Sequence, residues 1–136
     1  MRIMLVDDHP LVLDSIANAL ELFDHRCDSF QSPSMALRML RKNYYDVAII
    51  DVSLQEMNGL DVARAINEAD PEIKVIIISG QGDIASEVLA LGSFVCAFFK
   101  KPIGIMAMID LLETLAHKKN RPPSAETVEC GAVNGV

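Results

Sequence analysis

Two short apolar runs in this chain end directly in carboxylates, and this pattern limits the fold most. Residues 3–6 (Ile-Met-Leu-Val) precede Asp7 and Asp8, and residues 47–50 (Val-Ala-Ile-Ile) precede Asp51. Short apolar runs of this kind predict buried strands. In an open parallel α/β sheet, ligand sites form beyond the carboxyl ends of the strands. The three carboxylates would meet there, and they repel one another unless a cation or a proton neutralises them.

Short apolar runs alternate with segments of helical periodicity along most of the chain. This alternation predicts a βα-repeating, mostly parallel sheet. We expect five strands, near residues 3–6, 26–30, 47–50, 75–78 and 96–99. Pro10, Ser32-Pro33 and Asn58-Gly59 mark the starts of the first three helices. After a turn at residues 79–82, Asp83 is expected to cap a fourth helix that reaches Leu91, and a fifth helix follows Pro102.

The length of 136 residues fits one domain, which we place at residues 1–117. From residue 118 the chain becomes polar and contains Pro122-Pro123, so residues 118–136 are predicted to be a flexible tail or the start of a linker. Whether the natural chain continues is left open, and so is the nature of any output domain.

Charge and cysteine content restrict the partners and the compartment. The formal net charge of −7 argues against direct binding of a nucleic-acid backbone by this domain. Cys27, Cys96 and Cys130 lack metal-ligand spacing and are expected to be reduced thiols. No signal peptide and no apolar stretch of about 18 residues is present, so we expect a soluble, cytoplasmic protein without membrane contact.

Polar groups follow four of the predicted strands. Asp7-Asp8, Asp51, Ser79 and Lys101 would therefore share one edge of the sheet. Carboxylate oxygens suit Mg²⁺, and a hydroxyl with a fixed ammonium opposite would complete a pocket for a tetrahedral phosphoryl group. Asp51 stands alone among the acids, so it is the candidate nucleophile for an acyl phosphate.

The order Asp7-Asp8, Asp51, Ser79, Lys101-Pro102 resembles the receiver domain of two-component response regulators. The segment from Asp51 to Asn58-Gly59 is similar to the acceptor loop of that family. The resemblance extends over about residues 2–116. It implies a flavodoxin-like α/β fold with a doubly wound parallel sheet of five strands in the order 2-1-3-4-5 and helices on both faces.

The resemblance also implies the chemistry of the site. Asp51 would accept a phosphoryl group from a histidine of a sensor kinase or of a phosphotransfer protein. Asp8 and Asp51 would bind Mg²⁺ directly, Asp7 would bind it through water, and the backbone carbonyl of Ser53 would be a further ligand. Lys101 would pair with Asp51 or with the phosphoryl group.

Two further residues would transmit the signal. The Ser79 hydroxyl would bond a phosphoryl oxygen, and Phe98 occupies the position of the family's switch aromatic, which turns inward when Ser79 moves. The face formed by the fourth helix, the fifth strand and the fifth helix would bind the output domain or a downstream protein. Homodimerisation through the last helices is left open.

The chain departs from the family pattern at two places. Gln55 replaces the usual proline of the acceptor loop, so that loop lacks a φ constraint. Gly92 lies two residues further from Lys101 than the family's usual glycine. We therefore predict a shorter fourth helix and a longer loop before the fifth strand, with Phe94 and Val95 in that loop.

Two other functions fit these residues less well than a signalling switch does. An aspartyl-phosphate hydrolase often carries a second acid two residues after its nucleophile, but His9 stands two residues after Asp7. A receiver-like interaction module that is never phosphorylated would not need the full set of polar residues. We therefore predict no enzymatic activity beyond self-phosphorylation and self-dephosphorylation of Asp51. His9 and His25 are expected to be ordinary surface residues outside any metal site.

Overall fold

A parallel sheet flanked by helices organises the chain. The computed structural model describes residues 1–80 and 84–117, together with the backbone of residues 118–119 and 133–134. Strands and helices alternate in this order: β1 (Arg2–Val6), α1 (Pro10–Leu22), β2 (Arg26–Phe30), α2 (Pro33–Met39), β3 (Val47–Asp51), α3 (Gly59–Ala69), β4 (Lys74–Ser79), α4 (Ala85–Leu91), β5 (Val95–Lys100), α5 (Ile105–Lys119) and β6 (Val133–Asn134).

The strand order is β2-β1-β3-β4-β5-β6, and all neighbouring strands are parallel. The predicted order 2-1-3-4-5 with five helices is confirmed, and β6, a strand of two residues, is added beside β5. The central strands are continuous apolar runs because helices cover both faces of the sheet. Ile76, Ile77 and Ile78 of β4 are all fully buried, and each such side chain contributes about 1.5–3 kcal/mol of burial free energy.

Alternate side chains of each strand enter two separate cores. Ile3 and Leu5 of β1 pack with buried residues of α1 and α5, whereas Met4 and Val6 pack with those of α2, α3 and α4. The sheet is therefore doubly wound, with helices packed on both of its faces. No helix in residues 1–80 and 84–119 is long and apolar enough to cross a bilayer.

The connection between α4 and β5 differs from the prediction. Helix α4 ends at Leu91, and Gly92 adopts a φ of +117°, a conformation that a side chain disfavours. Val95 was predicted to lie in the following loop, but it is the first residue of β5 and pairs with Val75. The register then shifts, because Ala97 pairs with Ile76 and leaves Cys96 as an extra residue. A β-bulge thus accommodates part of the extra length that we assigned to the loop.

The predicted tail contains structure that its composition did not indicate. Helix α5 continues to Lys119, two residues past the expected domain boundary. Val133 and Asn134 pair in parallel with Ala97 and Phe98 of β5. The rest of the predicted tail, with Cys130, lies outside the described residues, as do the predicted turn residues 81–82 and the predicted cap Asp83.

His25 is buried, so its expected surface position was wrong. Its Nδ1 lies 3.2 Å from the amino group of Met1, and its Nε2 lies 3.1 Å from Glu113 Oε1 on α5. These partners are distant in sequence and meet only in the folded chain. The ring therefore joins the start of β2 to the last described helix.

A polar cluster of Arg2, Asp28 and Tyr45 lies near the edge of the sheet where the strands begin. The buried Tyr45 donates from its hydroxyl to Asp28 Oδ2 at 2.7 Å, and Arg2 Nη2 donates to the same oxygen at 3.1 Å. Burial alone would raise the pKa of Asp28, but the hydrogen bonds from Tyr45 and Arg2 outweigh it and hold that pKa below its usual range. Burial and the bond to Asp28 raise the pKa of Tyr45 to about 12.

Candidate functional site

The ends of four adjacent strands bring the predicted polar residues to one edge of the sheet. Val6 pairs with Ile50, so Asp7 follows β1 beside the end of β3, where Asp51 lies. Ser79 ends β4 and is fully buried. The backbone N–H of Lys101 donates to the Ser79 carbonyl at 2.8 Å, which holds the end of β5 against β4. The expected gathering of these residues is therefore present in the fold.

The Lys101 ammonium bridges two buried carboxylates. Its Nζ donates to Asp7 Oδ2 and to Asp51 Oδ2, each at 3.1 Å. Asp7 and Asp51 have 0% exposure, whereas the lysine side chain keeps 22%. We predicted a pairing of Lys101 with Asp51, and the structure adds Asp7 as a second partner. The peptide bond between Lys101 and Pro102 is cis.

Burial and opposite charge act against each other in this cluster. Burial raises the pKa of Asp51 above its usual range, and the nearby Asp7 charge adds to the effect; the Ser53 N–H and the Lys101 ammonium oppose it without cancelling it. Burial would lower the pKa of Lys101, but its hydrogen bonds to Asp51 and Asp7 more than offset this and raise it. Lys101 is therefore a fixed cation at neutral pH.

His9 lies closer to the acids than we predicted. It precedes α1, and its backbone N–H donates to Asp7 Oδ1 at 2.9 Å. Its Nδ1 lies 3.1 Å from Asp7 Oδ1 and 3.1 Å from Asp8 Oδ1. The expectation that His9 stands apart from any metal-ligand group was therefore wrong. The adjacency of His9 to Asp7-Asp8 in sequence was the available signal.

The loop between β3 and α3 brings the backbone close to Asp51. Ser53 donates its N–H to Asp51 Oδ1 at 3.1 Å, and Gly59 donates its N–H to the Val52 carbonyl at 3.1 Å. A Cβ at Gly59 would lie 2.6 Å from Val52 Cα and would overlap the Asp51 carbonyl oxygen. Asn58 caps α3 by accepting the Leu60 N–H at 2.8 Å. The predicted helix start at Asn58-Gly59 therefore also fixes the position of the Asp51 backbone.

The donor set at this edge fits a hard divalent cation. One potential ligand atom from each of Asp7, Asp8, His9 and Asp51 can be chosen so that all four lie within 4.8 Å of one another. Asp8 Oδ1 is buried, and His9 Nδ1 lies 3.1 Å from it without the geometry of a hydrogen bond. Three carboxylates against one ammonium leave excess negative charge, which a divalent cation would neutralise.

Phe98 lies partly buried on β5. It packs against the core beneath α2, α3 and α4. Together with Val88, Leu89 and Val95 it lines a cavity of about 330 Å³ between α4 and β5. The position leaves room beside the ring, and its switch role remains a prediction.

A comparison with protein families agrees with this arrangement. A family model described as "Response regulator receiver domain" matches residues 3–113. The response regulator protein TodT of Pseudomonas putida is 34% identical over 100 residues, which cover 74% of this chain and 44% of TodT. The chain thus spans less than half the length of that relative.

Solved structures show the same fold. A CheY-like response regulator receiver domain protein from Methanospirillum hungatei superposes with a TM-score of 0.79 at 23% identity, over 87% of this chain and 95% of that one. A response regulator receiver domain protein from Clostridium thermocellum gives a TM-score of 0.78 at 26% identity, with the same coverage.

Proposed function

Because this chain belongs to the response regulator receiver family, we propose that it is a phosphorylation-dependent signalling switch with Asp51 as its phosphoacceptor. The observation that carries this proposal is the Asp51 carboxylate, buried at the end of β3, with the Lys101 ammonium at 3.1 Å and the Asp7 carboxylate beside the same ammonium. Such a group is a nucleophile held next to a fixed positive charge.

The proposed reaction moves one phosphoryl group from a phosphohistidine to Asp51. A carboxylate oxygen attacks phosphorus and forms an O–P bond while the P–N bond breaks, and the donor nitrogen keeps the electron pair. The Lys101 ammonium and the Ser53 N–H both favour the ionised carboxylate that this attack requires. The covalent chemistry that we propose is confined to phosphorylation and dephosphorylation of Asp51.

We assign the metal site to Mg²⁺, with Asp8, Asp51 and the Ser53 backbone carbonyl as direct ligands and Asp7 acting through water. When bound, the ion would neutralise charge on the oxygens of the transferring phosphoryl group. The buried Asp8 Oδ1 supports this assignment, because it accepts no hydrogen bond in the described part of the chain, although His9 Nδ1 lies 3.1 Å away, and a cation would satisfy it.

We assign signal transmission to Lys101, Ser79 and Phe98. A phosphoryl group adds about −1.5 to −2 charge at Asp51, which draws the Lys101 ammonium and the Ser79 hydroxyl toward its oxygens. Ser79 ends β4 next to β5, the strand that carries Phe98. Displacement of Ser79 would let Phe98 turn inward, and a partner that prefers one of the two states would then respond to phosphorylation.

The proposed partners follow from these roles. A histidine kinase or a phosphotransfer protein would supply the phosphoryl group, and an output domain or a downstream protein would bind the face of α4, β5 and α5. We propose no direct contact of this domain with nucleic acid, because its net charge is −7. A cytoplasmic location fits the free thiols of Cys27 and Cys96.

Labelling by a small phosphodonor tests the proposed acceptor. The protein incubated with acetyl phosphate and Mg²⁺ should gain the mass of one phosphoryl group, and EDTA should prevent the gain. Asp51→Ala and Asp51→Asn should stay unlabelled, whereas Asp14→Ala, which removes an exposed acid from α1, should label normally. Full labelling of either Asp51 variant would refute the assignment.

A further inference from the structure

Glu56, in the loop between β3 and α3, contacts the start of α2. Its Oε1 accepts hydrogen bonds from the Ser34 backbone N–H at 2.9 Å, from the Ser34 hydroxyl at 2.6 Å and from the Ser32 hydroxyl at 3.2 Å. The hydrogen bonds from the hydroxyl and the backbone of Ser34 hold the pKa of Glu56 below its usual range. The carboxylate is therefore charged at neutral pH and caps α2 from another part of the chain.

The rest of that loop tip has little polar support. In the described part of the chain, Leu54, Gln55 and Met57 make no hydrogen bond, and the base of the loop is closed by the bond from Gly59 to Val52. No proline limits φ at residue 55. Glu56 is thus the polar anchor of the loop tip in this part of the structure.

The loop also carries groups that face the proposed metal site. Ser53 lies three residues before Glu56, and its N–H donates to the Asp51 carboxylate at 3.1 Å. A loop that fluctuates at its tip would vary the position of both the N–H and the carbonyl of Ser53. Ordering those groups before the ion arrives lowers the entropy cost of binding.

We propose that Glu56 is a positioning residue, which ties the loop between β3 and α3 to the start of α2 and thereby sets the affinity of the acidic site for Mg²⁺. This inference rests on the proposed function, since it takes the acidic site as the Mg²⁺ site. Glu56 is not one of the potential ligands of the acidic site, and we assign its effect to the position of Ser53.

Two measurements on Glu56→Ala test the proposal. In a Mg²⁺ titration followed by calorimetry and by the amide NMR signal of Ser53, the dissociation constant should rise about three- to tenfold, the range expected for losing about one net hydrogen bond. Hydrogen exchange at the Ser34 amide should accelerate about tenfold, because its acceptor is removed. Glu56→Gln keeps an acceptor oxygen and should bind Mg²⁺ within about twofold of wild type.

Two control variants separate positioning from stability and from charge. Ala36→Gly weakens α2 and removes a buried methyl group but removes no contact of Glu56, so it should lower stability without changing Mg²⁺ affinity. Glu68→Ala removes an exposed acid of α3 and should also leave the affinity unchanged.

The outcomes distinguish the two levels of inference. Glu56→Ala with wild-type Mg²⁺ affinity, or with affinity lost equally in Ala36→Gly, would overturn the role of Glu56 while the Mg²⁺ site stands. If the wild-type protein binds no Mg²⁺, or binds Mg²⁺ no more tightly than Asp51→Asn does, the proposed function and this inference are both overturned.

Discussion

Lys101→Met is the most informative perturbation of the apo site. The ammonium lies 3.1 Å from Asp7 Oδ2 and 3.1 Å from Asp51 Oδ2, and both carboxylates have 0% exposure. Methionine keeps much of the length of the side chain but removes its charge. Two buried carboxylates then face each other without the cation that separates them.

The size of the effect follows from burial and from the bonds that remain. Removing one partner of a fully buried ion pair costs about 3–5 kcal/mol. Here the lysine side chain is 22% exposed, so water screens part of its interaction. Asp7 also keeps the His9 N–H, and Asp51 keeps the Ser53 N–H. We therefore expect the free energy of unfolding to fall by about 2 kcal/mol at neutral pH without divalent ions.

The loss should depend on pH and on Mg²⁺ with defined signs. The folded-state pKa of Asp51 is already raised by burial, so the folded protein binds the proton more tightly than the unfolded chain does. Its stability contribution is present at acid pH and is lost as the pH rises above about 4 through the raised pKa. Lys101→Met should steepen that loss. Added Mg²⁺ should stabilise the variant more than the wild type, because the ammonium no longer competes for the carboxylate oxygens.

Urea unfolding with and without Mg²⁺ in large excess over the protein measures both effects. Lys100→Met is the matched control, since it removes the same charge from the adjacent, exposed residue. It should change stability by less than about 0.5 kcal/mol. A Lys101→Met variant as stable as Lys100→Met, or one that gains less from Mg²⁺ than the wild type, would refute the electrostatic reasoning.

Two further predictions concern the packing and the polar cluster around the sheet. Gly59→Ala should lower the free energy of unfolding in urea by about 2–4 kcal/mol, because the new Cβ would lie 2.6 Å from Val52 Cα. In the control Gly80→Ala the new Cβ meets a methylene of Lys101 at 3.6 Å, so the free energy of unfolding should fall by less than about 1 kcal/mol. Equal losses in the two variants would contradict this prediction. Tyr45→Phe should cost about 1–2 kcal/mol at neutral pH, since the hydroxyl donates to ionised Asp28 at 2.7 Å. Because the pKa of Asp28 is depressed, this difference should shrink as the pH falls below about 4, and a difference that is constant with pH would contradict the assignment.

The carboxylate cluster could be predicted from sequence because its geometry follows from strand ends. Asp7 and Asp51 each end an apolar run, and parallel neighbouring strands place such residues at one edge whatever the details of packing. Lys101 was predicted to lie at this edge for the same reason, and its pairing with Asp51 was implied by the resemblance to receiver domains. Its second bond, to Asp7, depends on the side-chain path across the site, which strand order alone does not specify.

Features that depend on distant contacts could not be predicted. His25 is polar and follows a turn, yet its burial results from the Met1 amine and from Glu113, 88 residues further along the chain. The bulge at Cys96 depends on the pairing of β5 with β4, which local composition does not encode. The contact from Glu56 to Ser34 likewise joins a loop to the start of α2, and the two are close only after the sheet has formed.

The most direct test of the central claim is the location of the phosphoryl group. Protein labelled with a small phosphodonor and Mg²⁺ can be treated with borohydride, which converts an aspartyl phosphate to a reduced residue that peptide mass spectrometry identifies. We predict that the modification lies at Asp51 and nowhere else among the carboxylates. Modification at Asp7 or Asp8, or a labelled protein whose Asp51 peptide is unchanged, would contradict this account.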